Sequence, residues 1–179
     1  IIPAFNEESS IGSVLNSLPK EKLNEIIVVN NGSTDKTSFV AKSHGARVVD
    51  EMIPGYGAAC LKGISELDEP EIVVFLDGDY SDFPEEIESL VQPIEENRAD
   101  FVLGSRMIFP ESRSSLLPQA RYGNLLAVFL IWLFFQYKFT DLGPFRAIRY
   151  QSLIEINMTD KNFGWTVEMQ IKAVKHGLR

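Results

Sequence analysis

Ile72-Val73-Val74-Phe75-Leu76-Asp77-Gly78-Asp79 decides how this chain is read. Its first five residues are apolar, begin with three β-branched side chains and end abruptly in charge, which predicts a short buried strand. Two carboxylates separated by one small residue then stand at the carboxyl end of that strand. Such a pair of hard oxygen donors suits Mg²⁺ or Mn²⁺ bridging the phosphates of a nucleotide. Ligands of open α/β sheets bind at that same strand end. The alternative is a turn that uses Asp and Gly only for its backbone geometry, and the neighbouring segments decide between the two.

Upstream, strand and helix signals alternate. Ile1–Phe5 is an apolar run, followed by Ile11, Val14, Leu15 and Leu18 at helical spacing, with Ser9 or Ser10 able to cap the helix. Ile26–Val29 predicts a second strand. The loop Asn30-Asn31-Gly32-Ser33-Thr34-Asp35 leads into a helix that stops near Gly45. Ala46–Val49 predicts a third strand, and Gly55 to Gly63 a tight turn into a helix of small residues. Beyond Asp79, a helix with Pro84 in its first turn carries the stripe Ile87, Leu90, Val91 and Ile94, and Phe101–Leu103 predicts a fifth strand. This alternation predicts an α/β fold with a mostly parallel sheet flanked by helices.

The 179 residues fit one domain. A single cysteine, Cys60, excludes an internal disulfide and argues for a reducing compartment and a small buried residue. The net charge of −8 argues against nucleic acid as a partner. That charge is unevenly spread: residues 1–100 carry 20 Asp/Glu against 7 Lys/Arg, whereas residues 101–150 carry 2 against 6. A basic segment within an acidic chain predicts a local anionic partner. The same segment holds eleven consecutive apolar residues, Leu125 to Phe135, among Arg106, Arg113, Arg121, Lys138, Arg146 and Arg149. Eleven residues are too few to cross a bilayer, which needs about 20. They predict either a core helix or a helix docked at a membrane surface. The chain opens without Met directly in a strand and ends just past a helix, from which we expect a fragment incomplete at both ends.

Several motifs in order resemble the family 2 inverting glycosyltransferases of the GT-A fold. They are Ile2-Pro3-Ala4-Phe5-Asn6-Glu7-Glu8, Val28-Val29-Asn30-Asn31-Gly32-Ser33-Thr34-Asp35, Gly55-Tyr56-Gly57-Ala58-Ala59, Leu76-Asp77-Gly78-Asp79 and Gly104-Ser105-Arg106. A further set resembles the dolichyl-phosphate mannose synthase-like branch, whose acceptors are polyprenyl phosphates: Arg121-Tyr122-Gly123-Asn124-Leu125, Thr140-Asp141-Leu142-Gly143-Pro144-Phe145-Arg146 and Gly164-Trp165-Thr166-Val167-Glu168-Met169-Gln170. The resemblance spans nearly the whole chain. It departs at Asn30-Asn31, where the family usually has two aspartates, the second touching base or ribose. Asparagine donates as well as accepts, so an altered base preference is expected there.

The resemblance implies a Rossmann-like GT-A domain over 1–179, with residues 1–104 as the nucleotide-sugar half and 105–179 as the acceptor half. It implies a metal-dependent transfer from a UDP- or GDP-linked sugar to a polyprenyl or dolichyl phosphate at the cytoplasmic face of a membrane. Mg²⁺ or Mn²⁺ would rest on Asp79, helped by Asp77. Pro3, Phe5, Glu7, Val29, Asn31, Gly57, Asp77, Gly78 and Asp79 would line the nucleotide-sugar slot, Gly55 and Gly57 letting backbone approach the donor. Arg106 and Arg121 would hold the acceptor phosphate, since the guanidinium fork matches phosphate. Asp141, with Asp79 and Arg106, would complete the catalytic set, orienting an arginine or serving as base toward a hydroxyl acceptor. Arg146 is expected to pair with a carboxylate. Trp165 and Glu168 should open a helix with Val167, Ile171 and Val174 on one face, and are expected to be mainly structural. The rival readings are the same fold acting on a glycan, polysaccharide or protein hydroxyl, and a nucleotide-sugar-binding domain without turnover. A membrane-embedded part outside this chain is a further expected partner.

Overall fold

The computed structural model describes residues 1–105 and 128–179. Expectations that fall on 106–127, including those for Arg106, Arg113, Arg121 and residues 125–127 of the apolar run, lie outside the described residues. The first half alternates β1 (Ile2–Ala4), α1 (Ile11–Ser17), β2 (Ile27–Asn30), α2 (Thr37–Ser43), β3 (Arg47–Asp50), α3 (Tyr56–Ser65), β4 (Ile72–Phe75), α4 (Ile87–Glu95) and β5 (Phe101–Leu103). Residues 128–135 are helical, and β6 (Arg146–Arg149) precedes the helices Tyr150–Glu155 and Trp165–Lys175.

β1 and β3 flank β2 in parallel. β6 runs antiparallel between β4 and β5. Two bonds join the halves: Ile1 N donates to Val74 O at 2.8 Å, and Leu76 N donates to Ile1 O at 3.2 Å. The strand order is therefore β3-β2-β1-β4-β6-β5, with every strand but β6 pointing the same way. The α/β architecture matches the sequence expectation, and β6 is the strand that the expectation omits. Arg-Ala-Ile-Arg has no apolar run to announce it. Its Arg146 is nonetheless fully buried, and Ala147 and Ile148 complete the sheet's two packed faces.

Helices cover both faces. α1 and α4 pack Ile11, Val14, Leu15, Leu90 and Ile94 onto Ile2, Ala4, Val28 and Ala147. On the opposite face Cys60, Phe75, Ile148, Leu153, Trp165 and Met169 form a second core. In the C-terminal helix the packed row is Trp165, Met169 and Ala173, not Val167, Ile171 and Val174, which are half-buried. The indole meets the Phe75 ring edge-on at 5.8 Å between centroids, and that large contact sets the helix's rotation.

Helix 128–135 differs from the others. Ile131 is buried, but Phe129, Leu130, Trp132, Leu133 and Phe134 are exposed. Among the described residues no helix is long and apolar enough to cross a membrane.

Candidate active site

The parallel strands bring the carboxyl ends of β1, β2 and β4 side by side, because each is followed by a loop that crosses the same sheet edge. Pro3 and Val29 are register partners on β1 and β2. Beyond them Asn31 N donates to Ala4 O at 2.9 Å. The loop after β1 is laced to the loop after β2: Glu7 N donates to Thr37 Oγ1 at 2.7 Å and Thr34 N to Asn6 Oδ1 at 2.8 Å. Glu7 in turn accepts the Ser10 hydroxyl at 2.5 Å. Ser10 is the N-cap of α1, yet its hydroxyl serves this carboxylate and makes no cap bond. Phe5 stands out from the edge, 59% exposed, as a platform with an open face.

β4 delivers the carboxylates to the same edge. A Cβ on Gly78 would stand 3.5 Å from both Glu7 Cγ and Pro3 O, so β4's end abuts β1's loop. Asp79 is exposed, and its Oδ1 accepts from Ser81 N at 2.9 Å. Asp77 is half-buried, and its Oδ1 accepts the Tyr56 hydroxyl at 2.9 Å. Burial, chiefly, and the nearby Cys60 and Asp77 push the Tyr56 phenol well above its usual pKa, so it remains the donor.

Asn31 is fully engaged in backbone support. Its Nδ2 donates to Glu51 O at 3.0 Å and Ile53 O at 2.8 Å, and its Oδ1 accepts from Gly55 N at 2.8 Å. Asn30 Nδ2 donates to Asp50 Oδ1 at 2.8 Å. The space at Gly55 and Gly57, expected to admit a donor, is taken by the chain's own backbone. Cβ atoms there would lie 2.1 Å from Lys161 O and 2.1 Å from Asp160 O. Gly57 N and Ala58 N donate to Asn162 O and Lys161 O at 3.2 and 2.9 Å. Gly55 also has φ +139°, which other residues rarely adopt. These glycines therefore serve close packing of segment 160–162 on the start of α3. That segment is held by Glu168, which accepts from Thr159 N, Thr159 Oγ1 and Asp160 N and bridges Lys172 at 2.8 Å.

Asp141 is buried, its Oδ1 accepts from Leu142 N at 2.7 Å, and Gln170 Nε2 donates to its carbonyl at 2.8 Å. Arg146 lies beneath this loop. Its guanidinium donates to the carbonyls of Pro144, Leu142, Gly143 and Thr166. The expected carboxylate pairing is thus replaced by a cradle of carbonyls. Burial lowers the Arg146 pKa, while Tyr56, Cys60, Asp77 and Asp141 oppose that shift. Asp77 and Asp141, far apart in sequence, are therefore both within electrostatic range of one buried cation. Sequence reading missed Tyr56 and the supporting bonds of Glu168 and Gln170. The only signal for Tyr56 was a large polar aromatic between two glycines.

Two cavities lie elsewhere. One of about 260 Å³ adjoins Leu103, Phe139 and Val174, and one of about 540 Å³ adjoins the amino ends of β1, β2 and β4. Neither reaches Asp77 or Asp79, which stand at the opposite, carboxyl ends of the strands. No cluster of three or more metal-ligating side chains occurs among the described residues. The residues still fit a divalent ion, because Mg²⁺ and Mn²⁺ sites of nucleotide enzymes use one or two carboxylates and complete their shell with phosphate oxygens and water.

This sheet order, with an acidic pair at the end of β4, defines an α/β enzyme of the GT-A glycosyltransferase fold. A crystal structure of glucosyl-3-phosphoglycerate synthase from Mycobacterium tuberculosis, in complex with Mn²⁺, UDP-glucose and phosphoglyceric acid, superposes with a TM-score of 0.75 at 25% identity. The match covers 97% of this chain and 64% of that one. Residues 1–156 match the glycosyl transferase family 2 profile, and the chain belongs to that family. An uncharacterized protein of Methanocaldococcus jannaschii is 34% identical over 185 residues, covering 100% of this chain and 76% of the relative. An uncharacterized glycosyltransferase of Mycobacterium tuberculosis is 32% identical, with 100% and 79% covered. A UDP-N-acetylglucosamine–dolichyl-phosphate N-acetylglucosaminyltransferase of Methanococcus voltae is 30% identical over 161 residues, covering 79% of this chain and 64% of the relative.

Proposed function

We propose that this glycosyltransferase moves a sugar from a nucleoside diphosphate to a polyprenyl phosphate at the cytoplasmic face of a membrane, inverting the anomeric carbon. The observation that carries the donor side is the convergence of Pro3, Phe5, Glu7, Gly78, Asp77 and Asp79 on one sheet edge. Asp79, with Asp77, would hold Mg²⁺ or Mn²⁺, which when bound neutralises charge on the leaving diphosphate. Phe5 offers its exposed ring to the base, and Glu7 accepts from base or ribose. Asn31 steadies the loop beside them.

An oxygen of the acceptor phosphate forms the new bond to the anomeric carbon as the bond to the diphosphate oxygen breaks. The electron pair leaves with the nucleoside diphosphate. A phosphomonoester has a second pKa near 6, so most of the acceptor carries no proton to remove at neutral pH. Asp141 then orients a cation rather than acting as base. Arg106 and Arg121 are the proposed holders of the phosphate, on the strength of the motif resemblance. The exposed apolar side of helix 128–135 favours a lipid acceptor, and so does the dolichyl-phosphate enzyme among the relatives. Residues 1–104 would then serve the donor and 105–179 the acceptor.

A second reading is a small phosphorylated hydroxyl acceptor, favoured by the phosphoglyceric acid in the similar crystal structure. The test is full-length protein incubated with labelled UDP- and GDP-sugars, Mn²⁺ or Mg²⁺, and either polyprenyl phosphate in detergent or 3-phosphoglycerate. Label in the organic phase only with polyprenyl phosphate supports the first reading. Label in a water-soluble product only with phosphoglycerate supports the second. Nucleotide binding without any transfer leaves a binding domain.

A further inference from the structure

Tyr56 has been given no role by the motif resemblance, yet it links the start of α3 to the acidic strand end. Its ring packs against the core that contains Cys60, Phe75 and Trp165. Its hydroxyl leaves that core and donates to Asp77 Oδ1 at 2.9 Å. We propose that Tyr56 is a positioning residue for sugar transfer: its phenol holds the Asp77 carboxylate in the one rotamer that meets the metal. The inference rests on the proposed donor site at Asp77 and Asp79.

Three observations support it. First, Asp77 lies two residues beyond the end of β4 and is only half-buried, so its side-chain torsions are not set by core packing alone. A hydrogen bond to an ionised acceptor is among the stronger polar contacts and selects one torsional well. Second, the donor of that bond is itself anchored on both sides. The residues around Tyr56 are fixed by Gly55 N to Asn31 Oδ1, Gly57 N to Asn162 O and Ala58 N to Lys161 O. The close approach of carbonyls 160 and 161 leaves α3 no room to shift toward them. Third, the same Asn31 bond ties α3 to the loop after β2, so the phenol is referenced to the nucleotide slot as well as to the core.

A buried tyrosine whose hydroxyl merely finds a partner would affect stability alone. Positioning predicts an effect confined to metal-dependent nucleotide binding and coupled to Asp77. The test is calorimetric titration of full-length protein with UDP, with and without Mn²⁺, for wild type, Tyr56→Phe, Asp77→Asn, their double variant and Asp79→Ala. Tyr56→Phe removes one oxygen and no ring contact, so the core stays packed. Thermal melting of each variant separates misfolding from lost binding.

The expected result is an unchanged melting temperature for Tyr56→Phe, unchanged metal-free UDP affinity, and Mn²⁺-dependent affinity weakened about tenfold. In the Asp77→Asn background the Tyr56→Phe change should add little, because the two act through one bond. Wild-type Mn²⁺-dependent affinity in Tyr56→Phe overturns the proposal, as does a loss that adds fully to that of Asp77→Asn. So does a fall in melting temperature accompanied by equal losses with and without metal. If Asp77→Asn and Asp79→Ala both keep Mn²⁺-dependent binding, the donor-site reading itself fails. If they lose it while Tyr56→Phe does not, only the role of Tyr56 fails.

Discussion

Asn31 and Gly55 are joined across two loops, the Gly55 amide donating to Asn31 Oδ1 at 2.8 Å. Because Asn31 also donates both amide hydrogens, to Glu51 O and Ile53 O, one side chain fixes the whole segment that leads from β3 into α3. The asparagine that departs from the usual family aspartate therefore has a structural reason. A carboxylate has no hydrogens to give and would face two carbonyl oxygens.

Asn31→Asp should accordingly loosen segment 51–55 and cost about 1 kcal/mol of stability, since Asn31 is half-buried and its bond to Ile53 O is exposed. Thermal melting and hydrogen exchange at the amides of Ile53 and Gly55 check this. Wild-type melting and protection would show that the amide donations contribute nothing.

Asp79→Ala should abolish metal-dependent nucleotide binding and sugar transfer while the fold survives. The side chain is exposed and makes one local bond to Ser81 N, so its removal costs about 1 kcal/mol or less. Calorimetry of UDP with Mn²⁺ reads the first effect and melting the second. Full metal-dependent binding in the variant would remove Asp79 as a ligand.

The acidic pair and the first five strands were legible because they rest on local signals: apolar runs, a βα alternation and two carboxylates at a strand end. β6 was not, because its burial is decided by position. It fills the gap between β4 and β5, where even an arginine is accepted once four carbonyls receive its hydrogens. The start of α3 shows the same limit. Its glycines signalled a close approach, but the sequence could not say that the approaching group is segment 160–162, about a hundred residues away. In the last helix the buried row is set by Trp165, which outweighs the aliphatic spacing of Val167, Ile171 and Val174.

Arg146→Met should be strongly destabilising. The substitution leaves the carbonyls of Leu142, Gly143, Pro144 and Thr166 without their buried donor. Leaving a buried carbonyl without its donor costs about 1–3 kcal/mol, and several are stranded here. Chemical denaturation should report that loss, and a change below about 1 kcal/mol would show that the cradle is not needed.

Glu168→Gln should destabilise the protein by about 1–3 kcal/mol near neutral pH. Burial pushes the Glu168 pKa up, but Lys172, the Thr159 hydroxyl and the amides of residues 159 and 160 outweigh it and hold the carboxylate below its ordinary value. A lowered folded-state pKa means that the unfolded chain binds protons more readily. The stabilisation is therefore complete above the unfolded value of about 4.3 and is lost as pH falls through the folded one. The difference between wild type and Glu168→Gln in denaturation midpoints should shrink below about pH 4.3. A gap that stays constant into acid would assign the effect to packing.

Replacing Leu130 and Phe134 by Ser should cut binding to anionic liposomes with little change in melting temperature. Leu130 is 40% exposed and Phe134 is 72% exposed, while Ile131 on the other side is buried and keeps the helix attached. The helix over 128–135 is about 12 Å long at 1.5 Å per residue, far short of the roughly 30 Å hydrocarbon core. The described residues can therefore lie in the interface and are by themselves too few to span it. Fully burying one such side chain is worth about 1.5–3 kcal/mol, so losing two that insert even partly should weaken partitioning by about tenfold or more. Lys138 lies close by in sequence, and Lys175 sits 5.6 Å from the Phe135 ring, placing positive charge where acidic head groups would meet the apolar side. A core helix would behave in the opposite way. Burying each hydroxyl would cost about 1–3 kcal/mol, added to the lost packing, and melting would fall steeply while liposome binding stayed the same. That outcome would end the membrane reading and with it the main structural argument for a lipid-linked acceptor.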